Sequence, residues 1–359
     1  MRVRLVCYED LDLWILGKFA RKLNEELRAL SIDSDIAKVP DPDADINHHI
    51  IYWYYDGVKS SIDTIMITHI DTFDKLKQLK GQLEAAAMGI CMSRQTVDQL
   101  SASGVVREKL CFINPAHDNL IRPRKIVVGI TSKVHADGRK RENSLIEIAR
   151  HIRPDQFMFK IMGSGWDAIV ETLREMGFSV EYHDRFDYDS YVSLVPTFDY
   201  YLYLSFDEGS MGFIDALAAG VKTIVTPQGY HLDVPGGITY PVRNQEDVIA
   251  AFEKIAEEQQ KLVGAVSEWT WADYAEKHIE IWQYLMNGRD SRYVLEQGSR
   301  YRDGLCTVRH ENTVPVALVD KLRARKDFIL NSHSWFNLVN RWKARIGSLF
   351  HGSGASGNG

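Results

Sequence analysis

The sequence predicts an α/β protein with two domains, each built on a doubly wound parallel sheet. Short apolar runs typical of buried strands alternate with amphipathic, helix-forming segments along most of the chain. Several of these runs end in small-residue or glycine-rich turns, which are the places where ligands bind in such sheets. A polar segment that contains a proline, residues 120–125, interrupts the alternation and is expected to link the domains. At 359 residues the chain is long enough for two cores.

The predicted elements follow the same plan twice. The first domain, residues 1–122, is expected to have a long amphipathic helix at residues 13–30 and strands at residues 2–8, 50–54, 65–70, 88–91 and 110–113. The second domain, residues 123–287, is expected to have strands at residues 126–131, 157–162, 200–205 and 221–225. Its helices are expected to begin at Asn143, to span residues 213–219 and 246–260, and to close the domain from Ser267 to about Met286.

Composition limits the class of protein. With 45% hydrophobic and 26% charged residues, the chain has the make-up of an ordinary globular protein and is not wholly disordered. No apolar run reaches the roughly 18 residues of a membrane-spanning helix. The first residues enter a strand without the apolar segment and cleavage site of a secretory signal, so we expect a cytoplasmic protein.

Neither a metal nor another cofactor is expected. The four cysteines are scattered, and no two have the spacing of a metal site or of a disulfide framework. The acid pairs Asp41/Asp43 and Asp187/Asp189 are explained by turn and helix-capping chemistry. We therefore predict reduced thiols and a reaction that needs no metal.

The basic tail, residues 288–359, differs from the rest of the chain. It carries twelve Lys and Arg against six Asp and Glu, although the whole chain has a net charge of −6. This asymmetry favours an acidic partner for the tail and argues against nucleic-acid binding by the body. Trp335, Leu338, Trp342 and Leu349 recur at helical spacing, with cations beside them. We expect a helix that either contacts a membrane surface peripherally or packs on the body.

One stretch, residues 200–235, predicts a ligand site. An aromatic strand leads into the loop FDEGSMG, and a helix then ends at Gly220 before the next strand. A strand that feeds a small-residue loop and a helix N-terminus directs unpaired N–H groups and the positive end of the helix dipole at one point. The sequence therefore predicts an anion site here, bracketed by Asp207 and Asp215.

The acids of this stretch carry a family resemblance. Asp215 opens the run Asp-Ala-Leu-Ala-Ala-Gly, and Asp207 precedes it by eight residues. The pattern resembles the donor-binding motif of the family 4 retaining glycosyltransferases, which have the GT-B fold. In that motif, an acid and a glycine-rich loop precede a second acid and Ala-x-Ala-x-Gly. Both acids are Asp where the family usually has Glu, and Glu208 is the alternative first acid. Ser210 or Met211 stands where the family has Phe.

The resemblance covers residues 1–287. Residues 88–118 resemble the family's last first-domain segment, the turn at Gly163 resembles its next glycine turn, and residues 182–191 resemble the segment that contacts the nucleotide base. The resemblance implies a GT-B protein, with two Rossmann-like domains that face a central cleft. Residues 1–122 would lie on the acceptor side, and residues 123–287 would bind a nucleotide-diphosphate sugar.

The family's site roles can be carried over residue by residue. The resemblance places the ribose-binding acid at Asp215 and the sugar-binding, catalytic acid at Asp207 or Glu208. Donor-binding backbone groups are implied at Gly163, Gly209, Ser210, Met211 and Gly212.

A second site element is the loop at residues 132–141, which is rich in Lys and Arg. The family holds the diphosphate here with an Arg and a Lys about six residues apart. The resemblance places the Lys at Lys140, and Lys133 with Arg139 is the alternative pair. An anionic leaving group needs such cations, whereas a solvated charged loop is the other interpretation.

Two residues of the first domain complete the set. Gly17, near the start of the first helix, would let the backbone approach the donor diphosphate, or it would be a helix-packing contact. His69, placed at the end of a strand, would orient the donor sugar, or it would be structural.

The function implied is that of a retaining glycosyltransferase, which moves a hexose from a nucleotide sugar to a carbohydrate or lipid-linked acceptor, as in bacterial surface polysaccharide assembly. The location would be cytoplasmic or peripheral on the inner face of the membrane. The alternatives are a non-catalytic partner subunit or carbohydrate-binding protein, and a GT-B-fold sugar-nucleotide epimerase.

Overall fold

A computed structural model describes residues 1–57, 62–207, 209–289 and 316–332. The chain forms two compact units. Unit 1 consists of Met1–Asp118 together with the described residues from Glu268 onwards, and unit 2 consists of Asn119–Ser267. Each unit contains one six-stranded sheet, and all strand pairs in both sheets are parallel. The predicted α/β class, with two doubly wound Rossmann-like units, is confirmed.

The strands and helices are numbered in chain order. The strands are β1 (Arg2–Val6), β2 (Asp33–Ala37), β3 (Ile46–His49), β4 (Ile62–Ile67), β5 (Met88–Cys91), β6 (Leu110–Phe112), β7 (Ile126–Ile130), β8 (Phe157–Met162), β9 (Ser179–His183), β10 (Tyr200–Tyr203), β11 (Lys222–Val225) and β12 (Tyr240–Pro241). The helices are α1 (Ile15–Ala29), α2 (Phe73–Ala85), α3 (Arg94–Ala102), α4 (Ser144–His151), α5 (Asp167–Glu175), α6 (Tyr188–Leu194), α7 (Met211–Ala218), α8 (Gln245–Gly264), α9 (Trp271–Met286) and α10 (Leu318–Ser332).

Strand order fixes where a ligand site is expected in each sheet. The order is β2-β1-β3-β4-β5-β6 in unit 1 and β12-β11-β10-β7-β8-β9 in unit 2. The direction of winding reverses between β1 and β3 in the first sheet and between β7 and β10 in the second. In open parallel sheets, ligands bind beyond the carboxyl ends of the strands at such a switch point.

The strand predicted at residues 50–54 is wrong, and the strand lies at Ile46–His49 instead. This strand is buried although it contains Asn47 and His48, and each of these two side chains has a hydrogen-bond partner at one or more of its polar atoms. The amide of Asn47 bonds to the backbone of Asp41, and Nδ1 of His48 lies 2.9 Å from the hydroxyl of Thr64. A partner as distant in sequence as Thr64 is from His48 does not appear in a local hydrophobic pattern. β4 is likewise displaced, and His69 lies beyond its end rather than in it.

The last helix of the predicted second domain, α9, belongs to unit 1. Its buried aromatic residues pack against α1, where the ring of Phe19 meets Trp271 edge to face at 5.2 Å between centroids. The indole N–H of Trp271 donates to Asp118 at 2.7 Å, and that of Trp282 donates to Thr64 at 3.2 Å. Burial of large aromatic surface with satisfied N–H groups stabilises this position of the helix.

Helix α10 follows in the tail and was not predicted. Leu318 and Leu322 are buried in the apolar cluster formed by α2, α3 and the face of the sheet that they cover. The predicted amphipathic helix around Trp335–Leu349 lies outside the described residues. Within those residues, no helix combines the length and apolar character needed to cross a bilayer.

Candidate functional site

The switch point of unit 2 brings two loops together. β7 and β10 are neighbours in register, with Tyr201 opposite Gly129. The loop after β7 contains the predicted cations, and the loop after β10 contains Asp207, one of the predicted acids. The carbonyl of Arg139 accepts from the amide of Phe206 at 2.9 Å and from the hydroxyl of Ser205 at 3.1 Å. The two loops are therefore tied to each other at the carboxyl edge of the sheet.

A cluster of charges forms where these loops meet. Nζ of Lys140 lies 2.8 Å from Oδ1 of Asp207, and Nε of Arg139 lies 3.1 Å from Oδ2 of the same carboxylate. The hydroxyl of Tyr203 donates to Oδ1 of Asp207 at 2.6 Å and accepts from Lys140. The amide of Gly209 adds a fourth contact at 3.0 Å. We call Arg139, Lys140, Tyr203 and Asp207 the charge cluster.

Burial within the charge cluster is uneven. The side chain of Lys140 is only 8% exposed, whereas those of Asp207 and Arg139 are 35% and 47% exposed. Partial burial alone would raise the pKa of Asp207. Hydrogen bonds from Lys140, Tyr203 and the backbone outweigh that effect and hold its pKa well below the usual value. The carboxylate is therefore ionised at neutral pH, and the cluster combines two positive charges with one negative charge.

Tyr203 was not identified from the sequence, although it stands in a predicted strand. Its pKa is raised by burial and by its hydrogen bond to Asp207, so the phenol stays neutral and donates. Its ring also lies 4.7 Å from Nζ of Lys140. The sequence signal was its place in a predicted strand, residues 200–205, that precedes a ligand loop, but tyrosine is also an ordinary strand residue.

Helix α7 begins beside the charge cluster. Ser210 precedes it, but its hydroxyl bonds to Tyr201 at 2.6 Å and does not cap the helix. The first amide groups of α7 are thus not satisfied by their own N-cap side chain, which favours an external acceptor. Gly212 lies in the first turn, where a Cβ would come within 2.2 Å of the hydroxyl of Thr131. Only glycine fits there, whereas Met211 is exposed.

Asp215 lies one turn into α7 and has one partner of note. The hydroxyl of Tyr191, on α6, donates to its Oδ2 at 2.5 Å. Burial and this bond raise the pKa of Tyr191, which therefore remains a donor. The ring of Tyr191 lies 5.3 Å from that of Phe186, which is mostly exposed. The segment that resembles a base-binding region thus orients the predicted ribose-binding acid.

The turn after β8 packs against the loop after β7. Gly163 has φ +146°, and a Cβ there would lie 2.2 Å from the carbonyl oxygen of Ser132. The neighbouring Lys133 is exposed, and it forms no ion pair in the part of the chain that the structure describes. Of the predicted cations, Arg139 and Lys140 therefore meet at Asp207, and Lys133 does not. Glu208, the alternative first acid, lies outside the described residues.

The two first-domain candidates belong to unit 1. Gly17 is buried, and a Cβ there would lie 2.5 Å from the carbonyl oxygen of Asp10, so it allows α1 to pack closely on the preceding loop. His69 is exposed, with Nε2 at 3.1 Å from Nζ of Lys75 and Nδ1 at 3.0 Å from the hydroxyl of Thr68. Partial burial and the charge of Lys75 lower its pKa.

In the structure, acids of the pairs Asp41/Asp43 and Asp187/Asp189 form the turn and helix-cap hydrogen bonds expected of them. Asp187 caps α6 by accepting from the amide of Ser190 at 2.8 Å, and Asp41 accepts from the amide of Asp43 at 3.0 Å. Among the described residues, no group of three or more His, Cys, Asp or Glu side chains could hold a metal ion. Metal independence stays a prediction.

Comparison with known proteins gives a likeness in structure only. No protein-family model matches the chain, and no curated protein matches it. Among solved structures, the lipopolysaccharide outer core galactosyltransferase WaaB in its apo form is 12% identical over 81% of this chain and 100% of that chain, with a TM-score of 0.33. Sucrose-phosphate synthase from Thermosynechococcus elongatus is 14% identical over 80% and 99%, with a TM-score of 0.36. Anabaena HepE in complex with UDP and glucose is 14% identical over 78% and 99%, with a TM-score of 0.33. At such values the likeness carries no argument about activity.

Proposed function

We propose that unit 2 binds the diphosphate of a nucleotide sugar and that the protein is a glycosyltransferase. The observation that carries this proposal is the meeting of Lys140 and Arg139 at a topological switch point, beside the uncapped start of α7. Cations and helix N-terminal amides are what a diphosphate leaving group requires, because negative charge builds up on it as the sugar departs.

Each part of the site has a role in this proposal. Lys140 and Arg139 neutralise the diphosphate, and the backbone at the start of α7 donates to its oxygens or to the sugar. Asp215 accepts from the ribose hydroxyls, with Tyr191 fixing the direction of its carboxylate. The close backbone approaches at Gly163 and Gly212 leave no side chains to obstruct these contacts.

The reaction we propose is transfer with retention, a feature that rests on the sequence resemblance around Asp215. The bond from the anomeric carbon to the diphosphate oxygen breaks, and a bond from that carbon to the acceptor oxygen forms on the same face. The acceptor's proton passes to the departing phosphate oxygen. His69 would orient the sugar, and no metal takes part. The acceptor would be a carbohydrate or a lipid-linked saccharide, reached from the cytoplasm or at the inner face of a membrane.

Titration calorimetry of the full chain against nucleoside diphosphates and nucleotide sugars tests the proposal. UDP and UDP-glucose come first, because they are the ligands named for the HepE structures. We expect binding that falls about 10- to 100-fold in Lys140→Gln, since one charge-assisted contact is lost. Lys222→Gln removes the same charge at the opposite, amino end of β11 and should bind normally.

The absence of binding to every member of the panel would refute the donor site. Such a result would favour a non-catalytic partner subunit. Equal weakening in both lysine variants would show that only the overall charge of unit 2 matters.

A further inference from the structure

Asp207 forms ion pairs with the two cations that the proposed donor needs. One carboxylate oxygen lies 2.8 Å from Nζ of Lys140, and the other lies 3.1 Å from Nε of Arg139. The family resemblance assigned Asp207 or Glu208 to the hydroxyls of the donor sugar, yet the carboxylate of Asp207 is held by cations at both oxygens. A diphosphate that reaches Lys140 and Arg139 at hydrogen-bond distance must share them with this carboxylate or replace it.

Repulsion between Asp207 and a diphosphate depends on the charge of the ligand. The diphosphate of a nucleotide sugar is esterified at both ends. The terminal phosphate of a nucleoside diphosphate is not, and it gains a further negative charge above a pH of about 6. With Asp207 in place, the cluster offers one net positive charge rather than two. The penalty from the carboxylate is therefore larger for the product than for the donor.

We propose that Asp207 is an internal counter-ion that competes with the diphosphate for Lys140 and Arg139 and thereby weakens binding of the nucleoside diphosphate product more than binding of the donor. This inference rests on the proposed function. It gives the residue a role in product release. The chemical class that it discriminates is a nucleoside diphosphate against a nucleotide-diphosphate sugar.

The surroundings allow the exchange without disturbing Lys140. In the free protein, the nearly buried ammonium needs a counter-ion, because an unpaired buried charge is strongly unfavourable. When the carboxylate turns away, the ring and hydroxyl oxygen of Tyr203 still hold the ammonium in place. The backbone next to the carboxylate is fixed, since Nε2 of Gln228 donates to the carbonyls of Ser205 and Asp207 at 2.8 and 2.5 Å. A rotation of one side chain is sufficient.

Calorimetry with UDP and UDP-glucose on the full chain tests the inference. Asp207→Asn keeps the shape and removes the charge, and we expect it to bind UDP about tenfold more tightly, with a smaller gain for UDP-glucose. Asp137→Asn is the matched control. It removes a carboxylate from the same loop that contacts Arg139 at 3.2 Å, and it should change UDP affinity by less than about threefold. If Asp207→Asn fails to fold, Asp207→Ser makes the same comparison.

The outcomes separate this inference from the proposed function. Wild-type binding that Lys140→Gln weakens, without any gain in the Asp207 variants, would overturn the counter-ion role and leave the donor site standing. An equal gain for UDP and UDP-glucose would overturn the product discrimination. If neither the wild type nor any variant binds a nucleotide, both ideas fail. If Asp207 had only a structural role, its replacement would weaken the binding of UDP. Whether the affinity for UDP rises or falls in the Asp207 variants therefore distinguishes the counter-ion role from a structural one.

Discussion

Asp207→Asn is expected to destabilise unit 2 in the absence of ligand. The carboxylate pairs with a nearly buried ammonium at 2.8 Å and with a half-exposed guanidinium at 3.1 Å. Breaking a fully buried pair costs about 3–5 kcal/mol, whereas an exposed pair contributes about 0–1 kcal/mol. Because Asp207 is about one third exposed and Asn retains one acceptor oxygen, we expect a loss of about 2 kcal/mol in the free energy of unfolding.

The dependence of this loss on pH follows from the pKa of Asp207. Partial burial opposes its ionisation, but the hydrogen bonds from Lys140 and Tyr203 prevail, so the folded-state pKa lies below the unfolded value of about 4. A carboxylate with a depressed pKa contributes its full stabilisation above the unfolded pKa and loses it as pH falls through the folded pKa. The difference between wild type and variant should therefore be constant from about pH 8 to pH 5 and shrink below about pH 4.

Hydrogen exchange under increasing urea, measured on peptides from β7 and β8, isolates the unfolding of unit 2. The control is Asp155→Asn, which removes an exposed partner of Arg153 and should leave the transition unchanged. A loss that grows below pH 5 would contradict this prediction, because the ionised carboxylate would then not be the stabilising form. A free energy of unfolding of Asp207→Asn equal to that of the wild type at pH 7 would contradict it as well.

Three further predictions concern other parts of the molecule. Lys133→Gln should bind UDP within about threefold of wild type, whereas Lys140→Gln should bind it about 10- to 100-fold more weakly, and calorimetry on the two variants would decide between the two cation assignments. Gly212→Ala should destabilise unit 2 by about 1–3 kcal/mol in urea titrations, because the added Cβ would lie 2.2 Å from a hydroxyl in the loop after β7. The control is Gly81→Ala, whose added Cβ meets nothing within 4 Å, and this substitution should be stabilising. Burial lowers the pKa of His278 to about 4, below its unfolded value of about 6.5. The unfolded state therefore binds more protons between these values, and unit 1 should lose stability as pH falls from about 6.5 to 4, an effect that His278→Gln should reduce in thermal melts.

The polar interior of unit 1 explains the last of these predictions. His48 and His278 are fully buried with ring centroids 5.0 Å apart, and burial lowers the pKa of both. Nδ1 of His278 lies 2.8 Å from the carbonyl oxygen of Tyr274, and Trp282 packs against both imidazoles. Protonation of either ring would place a charge between β3 and α9 without a carboxylate among these contacts. The pair therefore makes the attachment of α9 sensitive to acid.

Some strands of the fold could be predicted from the sequence, and others could not. The strand at Met88–Cys91 and the one at Phe157–Met162 were predicted at their observed bounds, because each is an apolar run of ordinary strand length. β3 was missed, because its sequence Ile-Asn-His-His contains one apolar residue and therefore no apolar periodicity. The short β12 was missed too, since two residues carry no periodicity.

The amino-acid sequence was sufficient to predict the alternation of strands and helices, the glycine-rich loop before α7, the cations in the loop that follows β7 and an acid in the loop that follows β10. These are local properties of the chain. Tertiary structure decided which charges meet, because the switch point brings Lys140 and Arg139, but not Lys133, to Asp207. It also brought the hydroxyl of Tyr191, on α6, to the carboxylate of Asp215. A hydrogen bond acts over about 3 Å, and only the pairing of β7 with β10 and the packing of α6 bring these groups that close.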